Sequence, residues 1–100
     1  MSALLPAIKR YYESNAVEEN NQCRAPLMDG VTRSEIVSQE DDRTVVRVVY
    51  TYRDTIGRST ATRRCRGFGE RTFTLVSEAG RPRVVDMTGE RRSSPTMRIW

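Results

Sequence analysis

The side chains of this chain that could carry chemistry are few: arginines, tyrosines, one pair of cysteines and a scatter of carboxylates. Its 100 residues include no histidine. That removes the commonest general base, the commonest metal ligand and every triad built on imidazole. Cys23 and Cys65 stand far apart and match no CxxC redox or zinc spacing. With no histidine to complete a coordination sphere, neither a metal site nor a cofactor is expected. A disulfide is expected instead. Closing a loop of roughly 40 residues, it would contribute about 4 kcal/mol in the chain-entropy model, a large share of the total stability of a domain this small.

Catalysis by paired carboxylates needs two groups that converge in a pocket with their pKa values pushed apart. Glu40, Asp41 and Asp42 fall together in a polar turn. Asp86, between Val85 and Met87, is the one carboxylate placed for partial burial, as a partner for a sheet arginine. No catalytic residue is expected, and the chain reads as a non-enzyme.

Positive charge is the stronger signal. Basic residues number 17 against 13 acidic ones, a net +4, and Lys9 is the one lysine. Arginine is the residue of forked contacts with carboxylate and phosphate. Arg58, Arg63, Arg64, Arg66, Arg71, Arg81 and Arg83 fall on adjacent predicted strands and turns, enough for a positive patch on an open sheet face. Arg47, Arg64 and Arg66 are the candidate contact surface for a protein partner or a second copy of the chain. An alternative is a small carrier whose apolar pocket lies between helix and sheet, with Tyr12, Tyr50 and Tyr52 at its wall. Nucleic-acid binding is a second alternative. Sheet-based readers of single strands stack bases on exposed aromatics, for which Phe68 is the one candidate, and Glu70 and Glu78 dilute the positive field.

The element that must position these groups is Arg43–Asp54. Read at period two, it places Val46, Val48, Tyr50 and Tyr52 on one face and Val45, Arg47, Val49, Thr51 and Arg53 on the other, a long strand with one apolar and one wet side. Before it, Leu5, Ile8, Tyr12 and Ala16 recur at helical spacing and predict an amphipathic helix over Leu4–Glu18, with Pro6 tolerated in its first turn. Asn20–Gly30 has turn chemistry, though Leu27 and Met28 could plug a gap in the core. Val31–Gln39 alternates and joins the organising strand through Glu40–Asp42 as a hairpin. Thr55–Arg58 predicts a turn, Ser59–Gly67 a third strand, and Gly67–Phe68–Gly69 a bulge or bend. Arg71–Ser77 follows with Phe73 and Leu75 inward, and Arg83–Thr88 closes the set through Val84, Val85 and Met87. The expected architecture is α+β, one N-terminal helix packed on a curved four- to five-stranded antiparallel sheet, with residues 1–90 as a single domain and 91–100 as a C-terminal tail ending in Trp100.

This order, one helix followed by antiparallel strands over Leu4–Thr88, resembles the cystatin-like fold and the nuclear-transport-factor-two-like superfamily built on the same layout. The inhibitory QxVxG loop that the first resemblance would imply is replaced by Asp54-Thr55-Ile56-Gly57-Arg58. The pocket histidine and extra helices that the second would imply have no counterpart. No apolar run approaches the roughly 18 residues of a membrane-spanning helix, and Met1–Ala7 is too short for a signal-peptide core. The chain is therefore expected either in the cytoplasm or, if a signal has been removed, in the periplasm or envelope of a bacterium, which a disulfide favours.

Overall fold

The structure, a computed structural model, describes residues 3–19, 23–24, 26–53 and 65–89. It contains one helix, α1 (Leu5–Asn15), a short pair β1 (Val17–Glu18) and β2 (Cys23–Arg24), and four longer strands, β3 (Leu27–Glu40), β4 (Arg43–Arg53), β5 (Arg66–Glu78) and β6 (Arg81–Met87). The longer strands form one antiparallel sheet in the order β3-β4-β5-β6. The fold is α+β, with four sheet strands among the described residues. The turn at 54–58, the expected strand up to Arg64 and the tail 91–100 with Trp100 lie outside them.

Pro6 sits in the first turn of α1, where a missing N–H costs nothing. Ile8 and Tyr12, one helical turn apart, are fully buried against the sheet, while Tyr11 lies half-buried at its edge. The helix stops at Asn15, short of the expected Glu18. Ala16 is extended (φ −84°, ψ 148°), and the Asn15 amide turns back to the Tyr11 carbonyl at 2.9 Å. Val17 and Glu18 leave the helix to pair with Arg24 and Cys23.

β4 has the predicted faces: Val46, Val48, Tyr50 and Tyr52 are buried, and the residues between them are half-buried on the opposite side. β3 begins at Leu27 rather than Val31, and Met28 does fill the core at 4% exposure. Register shifts between Met28 and Gly30, Val31 and Arg33, and Ile36 and Ser38 break its simple alternation, as bulges do on edge strands. In β6 a shift opposite Thr74–Leu75 pairs Val84 with Leu75 and Asp86 with Thr74. Val84 and Met87 are buried, whereas Asp86 is exposed, contrary to the burial expected of it.

No bulge interrupts β5 at Gly67–Phe68–Gly69. Arg66–Val76 pair with Arg53–Arg43 without a shift, Gly67 facing Tyr52 and Gly69 facing Tyr50. The glycines make room for side chains of β4. A Cβ on Gly67 would lie 2.7 Å from the Tyr52 hydroxyl, and one on Gly69 would collide with the Tyr50 phenol. Both tyrosine rings therefore lie across the neighbouring strand, and their hydroxyls reach Glu18 and Glu19.

Candidate functional site

On the inner face, the tyrosines proposed to line a pocket are brought together. Tyr12, Tyr50 and Tyr52 are 0%, 1% and 7% exposed, with Tyr12 edge-on to Tyr50 at 4.9 Å between centroids. Their hydroxyls all point to β1 and its end. Tyr12 and Tyr50 donate to the same Glu18 Oε2, at 2.7 and 2.6 Å, and Tyr52 donates to Glu19 Oε2 at 3.0 Å.

Arg71 completes this cluster, which corrects its expected place in the outer positive patch. It shares the inner face of β5 with Phe73 and Leu75 and is 8% exposed. Its Nε donates to the Tyr50 hydroxyl (2.8 Å), Nη1 to the Thr88 carbonyl (2.9 Å) and Nη2 to the Val17 carbonyl (3.0 Å), and Nη2 lies 3.3 Å from Glu18 Oε2. The guanidinium also lies 5.8 Å from the Tyr12 ring centroid, within cation–π range. Gly89, at φ +76°, leaves room for this group, since a Cβ there would meet Nη1 at 2.8 Å.

Burial alone would drive Arg71 toward its neutral form; the Tyr50 hydrogen bond and the Glu18 charge outweigh it and hold the guanidinium charged. Burial, and donation to Glu18, push both the Tyr12 and Tyr50 phenols far above the ordinary tyrosine range. A buried charge costs free energy unless paired and hydrogen-bonded, and here each group has its partner. The cluster is a filled polar core that fastens helix, hairpin and sheet. Beside it, a groove of about 260 Å³ between α1 and β6 is lined by Ala7, Arg10, Tyr11 and Val84, among others, and by none of the three proposed pocket tyrosines.

The Cys23–Cys65 disulfide is formed, as expected. It joins β2 to the residue preceding β5, so it ties the hairpin carrying Val17 and Glu18 to the sheet that carries Arg71.

The outer face carries Arg47 and Arg66, two of the three proposed contact arginines, and no described element covers it. Arg47 is held between neighbouring strands, 3.2 Å from Glu35 on β3 and 3.5 Å from Glu70 on β5, and Arg33 lies 3.9 Å from Glu35. These pairs are open to water and individually weak. Arg66 is exposed and stands directly across from Arg53. Asp29 offsets the Arg53 charge at 2.9 Å, whereas Arg66 has no described carboxylate partner. Like charges facing each other across strands are unfavourable. Phe68, between Arg66 and Glu70, is 80% exposed. Arg64 lies outside the described residues.

The chain matches no protein family, no curated protein and no solved structure. Glu18, the last residue of the expected helix, is a strand residue that holds Arg71, and Arg71 lies on the inner face and not in the outer patch. The parity of β5 was a usable signal, since residue 71 shares its face with 73 and 75.

Proposed function

We infer that this is a non-catalytic interaction domain whose outer sheet face, covered by no described element, binds an acidic protein surface or a second copy of the chain, with Phe68 as anchor, Arg66 and Arg53 beside it and Arg47 farther along the same face. The observation that carries this reading is Phe68, a large aromatic 80% exposed on a sheet face, with Arg66 beside it and Arg53 diagonal to it. Aromatic and arginine side chains are the types that concentrate binding energy at protein interfaces. The facing Arg53–Arg66 pair would gain from an incoming carboxylate that accepts from both. Contact through the sheet edges is disfavoured: β3 is interrupted by bulges, and β6 opens with Arg81, Pro82 and Arg83, all features that block strand addition.

The cystatin-like layout fits such a role by element order. The disulfide fits an oxidising compartment such as a bacterial envelope, and no helix among the described residues is long and apolar enough to cross a membrane. The carrier reading is less favoured, because Tyr12, Tyr50 and Tyr52 spend their surface and hydroxyls on one another and on β1. Glu35, Glu70 and Asp29 interleave the outer arginines and weigh against nucleic acid.

The test is site-specific photo-cross-linking in the native host with benzoyl-phenylalanine in place of Phe68, together with sedimentation equilibrium of the purified chain. A discrete adduct, or a self-associated species, that is lost in Arg66→Ala supports the reading. A monomer that yields no adduct beyond those from a control at exposed Gln39 overturns it.

A further inference from the structure

Independently of the sheet face, we propose that the groove between α1 and β6 binds a small amphipathic carboxylate. The ligand is an acyl or aryl acid whose apolar body lies on the groove floor and whose carboxylate is held between Arg10 and Arg83. Both walls follow from the sequence. Ala7, Arg10, Tyr11 and Ser14 stand at i, i+3, i+4 and i+7, so they share one stripe of α1. The run Pro82-Arg83-Val84 of β6 supplies the facing wall.

Burial sorts these residues into floor and rim. Ala7 and Val84 are 8% and 6% exposed, Tyr11 and Pro82 are half-buried, and Arg10, Ser14 and Arg83 are exposed. Apolar surface therefore lies at the bottom, with two guanidinium groups above it. β6 is an edge strand, so no described strand closes that side.

Charge selects the ligand. The described residues that line the groove include two arginines and no carboxylate. Arg10 has no ion-pair partner among the described residues. Arg83 lies 2.6 Å from Glu78, but both side chains are more than half exposed, and such a pair is weak in water. An incoming carboxylate can accept from both guanidinium forks. Two other cavities lack this combination. The one on the outer face, about 180 Å³ among Arg33, Glu35, Arg47, Val49 and Glu70, carries two charges of each sign that already pair with one another. The one beside Leu4, Leu75 and Pro82, about 190 Å³, has a carboxylate, Asp42, and no cation.

Size and backbone narrow the class further. A volume of about 260 Å³ falls below the roughly 300–1,000 Å³ of sites for drug-sized ligands. The stretch of helix from Ala7 to Asn15 that borders it is about 12 Å long. That span suits one acyl chain or one aromatic ring on a short stem. Pro82 has no N–H to offer, which keeps an extended peptide from pairing along β6, so the acid is not a peptide strand.

The test is a ¹H–¹⁵N NMR titration of the full chain with octanoate and with 4-phenylbutyrate, each compared with its primary amide, which has the same apolar body and no charge. The acids are expected to shift the amides of Ala7, Tyr11 and Val84 along one saturating curve, with a Kd of about 0.1–1 mM. The amides of the two acids should bind about 10-fold more weakly. Arg10→Gln and Arg83→Gln, at exposed positions where substitution changes stability little, should each weaken the acids by about 5-fold and leave their amides unchanged. Shifts centred on Phe68 and Arg66 instead, amides that bind as tightly as the acids, binding indifferent to both arginines, or no saturation by either acid at about 10 mM would each overturn the proposal.

Discussion

Replacing Arg71 by methionine would remove the one buried cation among the described residues while keeping an apolar stem of similar reach. The Arg71 and Glu18 side chains are 9% and 13% exposed and 3.3 Å apart, so solvent screens their interaction little. The substitution leaves the Glu18 carboxylate with two phenol donors and no counter-ion, and it strips the Val17 and Thr88 carbonyls of their donor. Breaking a buried pair from one side costs about 3–5 kcal/mol, which approaches the entire stability of a domain holding about 5–15 kcal/mol. With a urea slope near 1.5 kcal/mol per molar, the unfolding midpoint should fall by about 2–3 M. Glu18→Gln should also destabilise, because Arg71 then has no carboxylate. The double variant should be less destabilised than the sum of the two by about 1–3 kcal/mol. The assay is urea unfolding followed by circular dichroism on all four proteins of the cycle. An Arg71→Met cost below about 1 kcal/mol, or single effects that add within about 0.5 kcal/mol, would refute the view that this pair and its hydrogen bonds fasten hairpin to sheet.

The raised phenols make a second prediction. Tyr12 and Tyr50 keep their protons in the folded chain well above the pH at which unfolded tyrosine ionises near 10. Their contribution is therefore intact below about pH 10 and declines as pH rises further, by up to about 2.7 kcal/mol per pH unit for two groups. Absorbance at the phenolate band should show Tyr12 and Tyr50 silent until the chain unfolds; four phenols titrating together near pH 10 in folded protein would contradict this. Gly69→Ala should cost about 1–3 kcal/mol by displacing the Tyr50 ring, lowering the midpoint of thermal unfolding by at least about 4 °C; an unchanged midpoint would mean the ring has another place to go. Cys23→Ser with Cys65→Ser should lose about 4 kcal/mol in urea unfolding, and the loss should be matched by reduction of the wild-type chain. Phe68→Ala should leave stability within about 0.5 kcal/mol, so that any binding it abolishes is read as contact and not as unfolding.

The sequence by itself determined the elements whose reasons are local. The alternation of Val46, Val48, Tyr50 and Tyr52 marked β4 and its buried face, because a strand repeats every two residues. The spacing of Leu5, Ile8 and Tyr12 marked α1, because a helix repeats every 3.6. Two cysteines without a CxxC spacing or a histidine marked the bridge, and Glu40–Asp42 marked the turn between β3 and β4.

Tertiary structure alone decided what those elements hold. Arginine in a strand reads as solvent-facing, and Arg71 is buried because the groups that satisfy it come from Val17, Glu18, Tyr50 and Thr88, as far as 54 residues away. Paired glycines read as a bend, and Gly67 and Gly69 are room for Tyr52 and Tyr50 because the β4–β5 register sets them face to face. Local period fixes which face a residue takes. Compensation of a buried charge is a sum over distant groups, and it exists only once the chain has brought them together.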